Sequence, residues 1–131
     1  MQAVGLHNMY NDQQIRVEGS YETYSSRLAT AVSLSSGDVL VVGGRGQEQQ
    51  VFLLVGPQLT IWQPKAHLKS GRLGHAAVGF FLGGEEVVVV AGGWDKNNMA
   101  LASVELYIVK KNQWLAVRDM PTPRVDFSLQ V

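Results

Sequence analysis

Two double glycines, Gly43-Gly44 and Gly92-Gly93, each close a run of β-branched and apolar residues, and each is followed by the same spacing. Tyr107 precedes Trp114 by seven positions, and Trp114 precedes Arg124 by ten. Val55, Trp62 and Arg72 repeat both intervals, and so do Tyr10, Val17 and Arg27. A chain that matches one ruler three times is a run of similar units, each burying its face on a neighbour. Such arrays favour recognition over chemistry.

The clearest unit begins at residues 73–82, which are apolar and rich in small side chains. Gly83-Gly84 supplies the positive φ of a tight turn. Residues 85–91 follow with four consecutive valines, the signature of a strand buried on both faces. Residues 94–98 are polar loop material. Residues 101–108 resume a strand, in which Val104, Leu106 and Ile108 alternate with Ser103, Glu105 and Tyr107. Lys110-Lys111-Asn112 turns the chain, residues 113–117 form a last strand, and Pro121 and Pro123 mark the exit. The pattern predicts four antiparallel strands joined by short turns.

The same order recurs upstream, with strands expected at residues 29–34, 39–42, 51–55 and 59–63. Residues 3–10 and 15–18 read as the third and fourth strands of a preceding unit, and residues 125–131 as the first strand of a following one. The chain therefore divides into 1–26, 27–71, 72–123 and 124–131, all of it all-β. No stretch combines a helical period with caps, so no long helix is expected.

Composition supports a packed chain without strong fields. Hydrophobic residues make up 46% of 131, enough for a core. Lysine plus arginine and aspartate plus glutamate number 11 each, so no global charge draws in nucleic acid or an anionic membrane. Cysteine is absent, which removes disulfides, thiolate nucleophiles and cysteine-based zinc sites, and fits a reducing compartment. Residues 1–10 lack the basic start and apolar run of a signal peptide. The most apolar stretch, residues 76–94, carries Glu85-Glu86 in its middle, which argues against a membrane helix. A soluble, cytoplasmic chain is expected. An indole buried between two stacked sheets removes about 150–250 Å² from water. That is worth about 4–6 kcal/mol as an upper estimate.

The hydrophobic run, the double glycine and the aromatic pair with six residues between resemble the kelch repeat, whose units are the blades of β-propellers. The double glycines lie 49 apart, Trp62 and Trp114 lie 52 apart, and Met120-Pro121-Thr122-Pro123-Arg124 resembles the family's linker between blades. Val55 and Val17 depart from the pattern, standing where the pair has its Tyr and its Trp. The resemblance implies a partial propeller: two full blades, an earlier half and a later quarter. Kelch propellers close with five to seven blades, so the chain is expected to be part of a longer one.

Arg27, Arg72 and Arg124 open successive units, and their simplest role is to brace neighbouring loops with the five donors of a planar guanidinium. Gly43, Gly44, Gly92, Gly93, Tyr107, Trp62 and Trp114 are the other structural positions of the repeat. In peptide-binding kelch propellers, the residue after the double glycine and the one two past the linker arginine face the binding mouth. The resemblance thus implies Arg45, Trp94, Ala29, Gly74 and Asp126 near a mouth, with Asp95, Lys96, Asn97 and Asn98 extending one loop. Trp94 either presents its ring to a partner or folds back on the sheet. His7, His67 and His75 form no HxH or HExxH spacing, so no metal site and no cofactor are expected. His75 suits a hydrogen-bonded role in a channel-lining strand, and Glu85-Glu86 suits a solvent-facing hairpin tip. Residues 65–72, with Lys65, Lys69 and Arg72 and no interleaved aromatics, suit a solvated loop rather than a nucleic-acid patch.

The resemblance implies a protein-interaction module, without enzymatic activity, that binds a peptide or loop of a protein partner and neither nucleic acid nor membrane. The linker points to the substrate-recognition propellers of BTB-kelch adaptors for cullin-type ubiquitin ligases. No BTB or BACK segment is read in these 131 residues, so that context rests on resemblance alone. An actin-binding or scaffold kelch protein is one alternative, and a kelch-type oxidase or sugar epimerase is another. The oxidase type needs a copper site with a crosslinking cysteine, and none is present.

Overall fold

The computed structural model describes residues 14–16, 23–25 and 28–125. The strands are β1 (Gln14–Arg16), β2 (Thr23–Ser25), β3 (Thr30–Ser33), β4 (Val39–Val42), β5 (Val51–Val55), β6 (Ile61–Pro64), β7 (Ala76–Leu82), β8 (Glu85–Ala91), β9 (Val104–Ile108) and β10 (Gln113–Val117). One 3₁₀ turn, Val109–Lys111, stands between β9 and β10. The described residues contain no α-helix, and the all-β expectation holds.

Two four-stranded antiparallel meanders make up most of the molecule, β3-β4-β5-β6 and β7-β8-β9-β10. In the second sheet, Gly83 and Gly84 both adopt positive φ (58° and 83°) between the paired Leu82 and Glu85, as a two-residue I′ hairpin requires. β8 runs Glu-Glu-Val-Val-Val-Val-Ala, and Val87, Val88 and Val90 are buried. Flanked by β7 and β9, it is an interior strand, which is why its apolar run does not alternate.

The sheets pack on each other through one core. Val32, Leu40, Val42 and Val51 of the first sheet meet Val88, Val90, Tyr107 and Trp114 of the second. Gly79 of β7 lies where the sheets approach closely: a Cβ there would sit 2.9 Å from the Val32 side chain. Trp114 closes the gap at the outer strand. It is 4% exposed, its ring centroid is 4.7 Å from that of Tyr107, and its Nε1 donates to the carbonyl of Ala66 at 2.8 Å. A second cluster, Ala31, Val39, Val41 and Leu54 with Phe52 and Trp62, covers the other face of the first sheet.

The first sheet corrects the spacing rule. Trp114 lies opposite Tyr107, but Trp62 lies opposite Leu54, and Val55 pairs with Ile61. The β5–β6 turn holds residues 56–60 and the β9–β10 turn only 109–112, so an extra residue shifts the ruler by one. Leu54, 2% exposed, is therefore the counterpart of Tyr107. Trp62 is half-buried and sits edge-on to Phe52 at 5.5 Å, in the cluster away from the second sheet.

The N-terminal reading also changes. β1 pairs with β2, a strand that the spacing rule does not predict. Tyr10, Val17, Arg27, Asp126, residues 3–10 and residues 126–131 lie outside the described residues. No helix among the described residues is long and apolar enough to cross a membrane.

Candidate partner-binding loops

An antiparallel meander sends alternate connections to opposite ends of its strands. Residues 43–50 and 92–103 link second to third strands, so they share one end with residues 65–75, which join the sheets. The hairpin tips lie at the other end. A backbone belt ties the loop end together. The Gly44 N–H donates to the Arg72 carbonyl at 3.1 Å. The next residue, Leu73, exchanges a pair of bonds with Trp94 (3.0 and 2.8 Å). Gly93 N–H then donates to the Arg124 carbonyl at 2.7 Å. The second glycine of each pair thus makes the same bond to the linker arginine that follows.

The glycines are required by this close approach. A Cβ on Gly43 would lie 2.5 Å from the Arg72 carbonyl oxygen, and one on Gly93 2.5 Å from that of Leu73. Both backbones sit at positive φ, 64° and 90°. Gly92 is buried and its carbonyl accepts from Arg72 Nη1 at 3.0 Å.

Arg72 is fully buried and serves as the brace of this end. Its Nη1 donates to the carbonyls of Gly92 and Ser103, and its Nη2 to Ser103 Oγ and Glu105 Oε2, all at 2.9–3.0 Å. Glu105 in turn accepts from the backbone N–H groups of Lys69 (2.7 Å) and Ser70 (3.0 Å). Residues 65–72 are consequently not a solvated loop: Leu68 and Arg72 are buried within them. Arg124 shares the backbone role of Arg72, but its side chain is exposed.

The loops are internally braced. Gln47 N–H bonds back to the Gly44 carbonyl at 3.0 Å, which places Arg45 at the exposed corner of a turn whose next residue, Gly46, has φ 79°. Asp95 Oδ1 accepts from the N–H groups of Asn97 (2.8 Å) and Met99 (3.0 Å), while Asn98 takes the left-handed conformation at φ 62°. Asp95 is therefore committed to holding its own loop. Lys96, Asn97, Asn98 and Met99 project into solvent. Trp94 is half-buried, its backbone bridged on both sides to Leu73 and Ala100.

Ala29 and Gly74 do not line an open mouth. Ala29 is 1% exposed, and its Cβ is what a side chain on Gly44 would strike. Gly74 is buried, with its N–H on the Leu28 carbonyl at 2.9 Å. His75 is buried and its Nε2 lies 2.8 Å from Thr30 Oγ1 of the first sheet. Glu86 is not simply solvent-facing, because its carboxylate accepts from the N–H (2.6 Å) and Oγ (2.8 Å) of Ser35 and ties the two hairpin ends.

Two residues with structural weight are not singled out by the sequence pattern. Asn112 Oδ1 accepts from Tyr107 Oη (2.6 Å) and from Ala66 N–H (2.9 Å), so the turn itself joins the sheets. Ser103 completes the cradle of Arg72. An asparagine at a turn signals a left-handed position, which Asn112 has at φ 49°, but not a bond 46 residues away.

Two repeating sheets, paired glycines and a buried linker arginine now stand together, and a family comparison agrees. A Kelch motif spans residues 84–121. It covers β8 to β10 and ends at Pro121, at the start of the linker, and it includes Gly92, Gly93, Tyr107 and Trp114. No curated protein matches the sequence. Among solved structures, the fold is similar to that of a fungal alcohol oxidase of the AA5 family, in complex with copper. That match has a TM-score of 0.58 and 18% sequence identity, over 71% of this chain and 19% of the oxidase chain. The likeness is one of kelch-type blade architecture.

Proposed function

We propose that the chain is a protein-interaction module that grips an extended peptide or a partner's loop at the end shared by residues 43–50 and 92–103. The observation that carries this reading is the belt from Gly44 through Arg72, Leu73 and Trp94 to Gly93 and Arg124, which ties both loops to the linker between them. Internal bonds from Gly44 and Asp95 fix their shape while Arg45, Lys96 and Met99 stay exposed. Loops held in shape before contact lose little freedom on binding. In this reading the module performs no chemistry and works in the cytoplasm. Its finer setting is substrate recognition for a cullin-type ubiquitin ligase, supported by the resemblance of the linker at residues 120–124.

Selection of peptides from a random library on the full chain tests the core of the proposal. The selected peptides should lose affinity for Arg45→Glu and Met99→Glu variants whose melting temperature is unchanged. Peptides held equally well by both variants would contradict it. Co-precipitation of a cullin from cells tests the ligase setting separately.

One observation favours an oxidase instead, the fold likeness to an alcohol oxidase. The described residues bring no three His, Cys, Asp or Glu together in a way that could hold a metal ion. The chain also lacks the crosslinking cysteine that the resemblance implies for such a copper site, and no step through copper is derived. Alcohol oxidation by the copper-supplemented chain, abolished by a loop-end substitution, would replace the binding reading.

A further inference from the structure

The chain's formal net charge is zero, yet among the described residues the exposed charge is unevenly placed. At the loop end, Arg45, Lys69, Lys96 and Arg124 are all exposed. Among the described residues the ion pair present is Arg72–Glu105, so none of these four cations is neutralised by one. The carboxylates nearby are engaged in hydrogen bonds of their own, Glu105 in the interior and Asp95 and Glu48 within their exposed loops. Glu105 is held by Arg72 and two backbone amides, Asp95 by the amides of Asn97 and Met99, and Glu48 by the amide of Gly46 at 2.9 Å. Asp119 is exposed on the second linker, but Arg118 stands beside it. The opposite end has Asp38, Glu85 and Glu86 against Lys110 and Lys111.

An exposed apolar group lies among these cations. Met99 is 63% exposed at the tip of the loop that carries Lys96. A thioether on a flexible chain adapts to many apolar shapes. The aromatic ring of the two loops, Trp94, is half-buried, so they lack the series of exposed rings on which single-stranded nucleic acid stacks.

We propose that the loop end selects acidic segments, with carboxylates of the partner on Arg45, Lys69, Lys96 and Arg124 and one apolar side chain against Met99. This rests on the protein-interaction reading and names the partner's chemistry. Guanidinium groups take carboxylates in bidentate fashion, and an unneutralised cationic rim raises the association rate of an acidic segment.

Fluorescence anisotropy with the full chain tests it, using a labelled glutamate–leucine peptide, a lysine–leucine peptide and a single-stranded oligonucleotide. The glutamate peptide should bind, and its affinity should fall as salt is raised through the physiological range. The double variant Arg45→Glu, Lys96→Glu should weaken it by roughly tenfold or more, and Glu85→Lys at the other end should leave it unchanged. Equal affinity for the lysine peptide, tighter binding of the oligonucleotide, or indifference to the double variant would overturn the proposal. The library selection separates the two failures. Selected peptides that depend on the loops but carry no acid overturn the charge assignment alone, whereas peptides indifferent to the loops overturn both readings.

Discussion

The guanidinium of Arg72 and the carboxylate of Glu105 meet at 2.9 Å with side chains 0% and 3% exposed. Burial pulls the Arg72 pKa below its usual value, and the hydrogen bond and charge of Glu105 push back. A guanidinium stays charged even so, which makes its partner obligatory. Removing one member of such a buried pair costs about 3–5 kcal/mol, because the other is stranded. Arg72→Ala and Glu105→Ala should each lose stability on that scale in chemical denaturation. The double change Arg72→Met, Glu105→Leu should cost less than the sum of the two single losses but stay below wild type, because the carbonyls of Gly92 and Ser103 and the amides of Lys69 and Ser70 lose their partners. Strictly additive losses would show that the two do not act as a pair.

The two tryptophans should differ. Trp114 is buried between the sheets and bonded to Ala66, so Trp114→Ala should cost about 3–5 kcal/mol. Trp62 is half-buried in the cluster away from that interface, and Trp62→Ala should cost distinctly less. The checking measurement is the shift in denaturation midpoint at constant slope. Equal shifts would contradict the separate placements.

Glycine substitutions should separate backbone strain from collision. Gly84 has φ 83° and open space within 4 Å of where a Cβ would stand, so Gly84→Ala should cost only about 1–2 kcal/mol of conformational strain. Gly93 has φ 90°, and a Cβ there would meet the Leu73 carbonyl oxygen at 2.5 Å, so Gly93→Ala must also part the belt. Thermal unfolding should place Gly93→Ala well below Gly84→Ala.

Stability should fall in strong alkali through Tyr107. Burial pushes its pKa up to about 12 from the ordinary value of 10.0. The phenol is neutral in both states below pH 10, so its contribution is complete there. Between 10 and 12 the unfolded chain loses the proton while the folded one keeps it, and stability drops as pH rises. Tyr107→Phe should flatten that part of the profile, and an unchanged slope would count against a buried phenol.

Much of the second sheet is legible because four valines, a glycine pair and two tight turns specify the same meander at every level. The first sheet is harder to read. Leu54 replaces the aromatic residue, Phe52 stands at the place of Glu105, and the five-residue turn hides the register. Nearness in space is less legible still. The bonds from Ser35 to Glu86, from Ala66 to Asn112 and from Arg72 to Glu105 span 51, 46 and 33 residues. Periodicity gives the face of a strand, but it does not give which loop crosses it. For the same reason Ala29 and Gly74, which the resemblance to peptide-binding kelch propellers implies near a mouth, are instead packed against the glycine belt.

The claim on which the functional account depends is that the two braced loops, and not the hairpin tips, form the recognition surface. Amide hydrogen exchange of the full chain with and without a library-selected peptide addresses it directly. The account predicts added protection within residues 43–50 and 92–103, and none at the Gly83-Gly84 tip or at residues 109–112. Protection confined to those tips, with the loops unchanged, would contradict it.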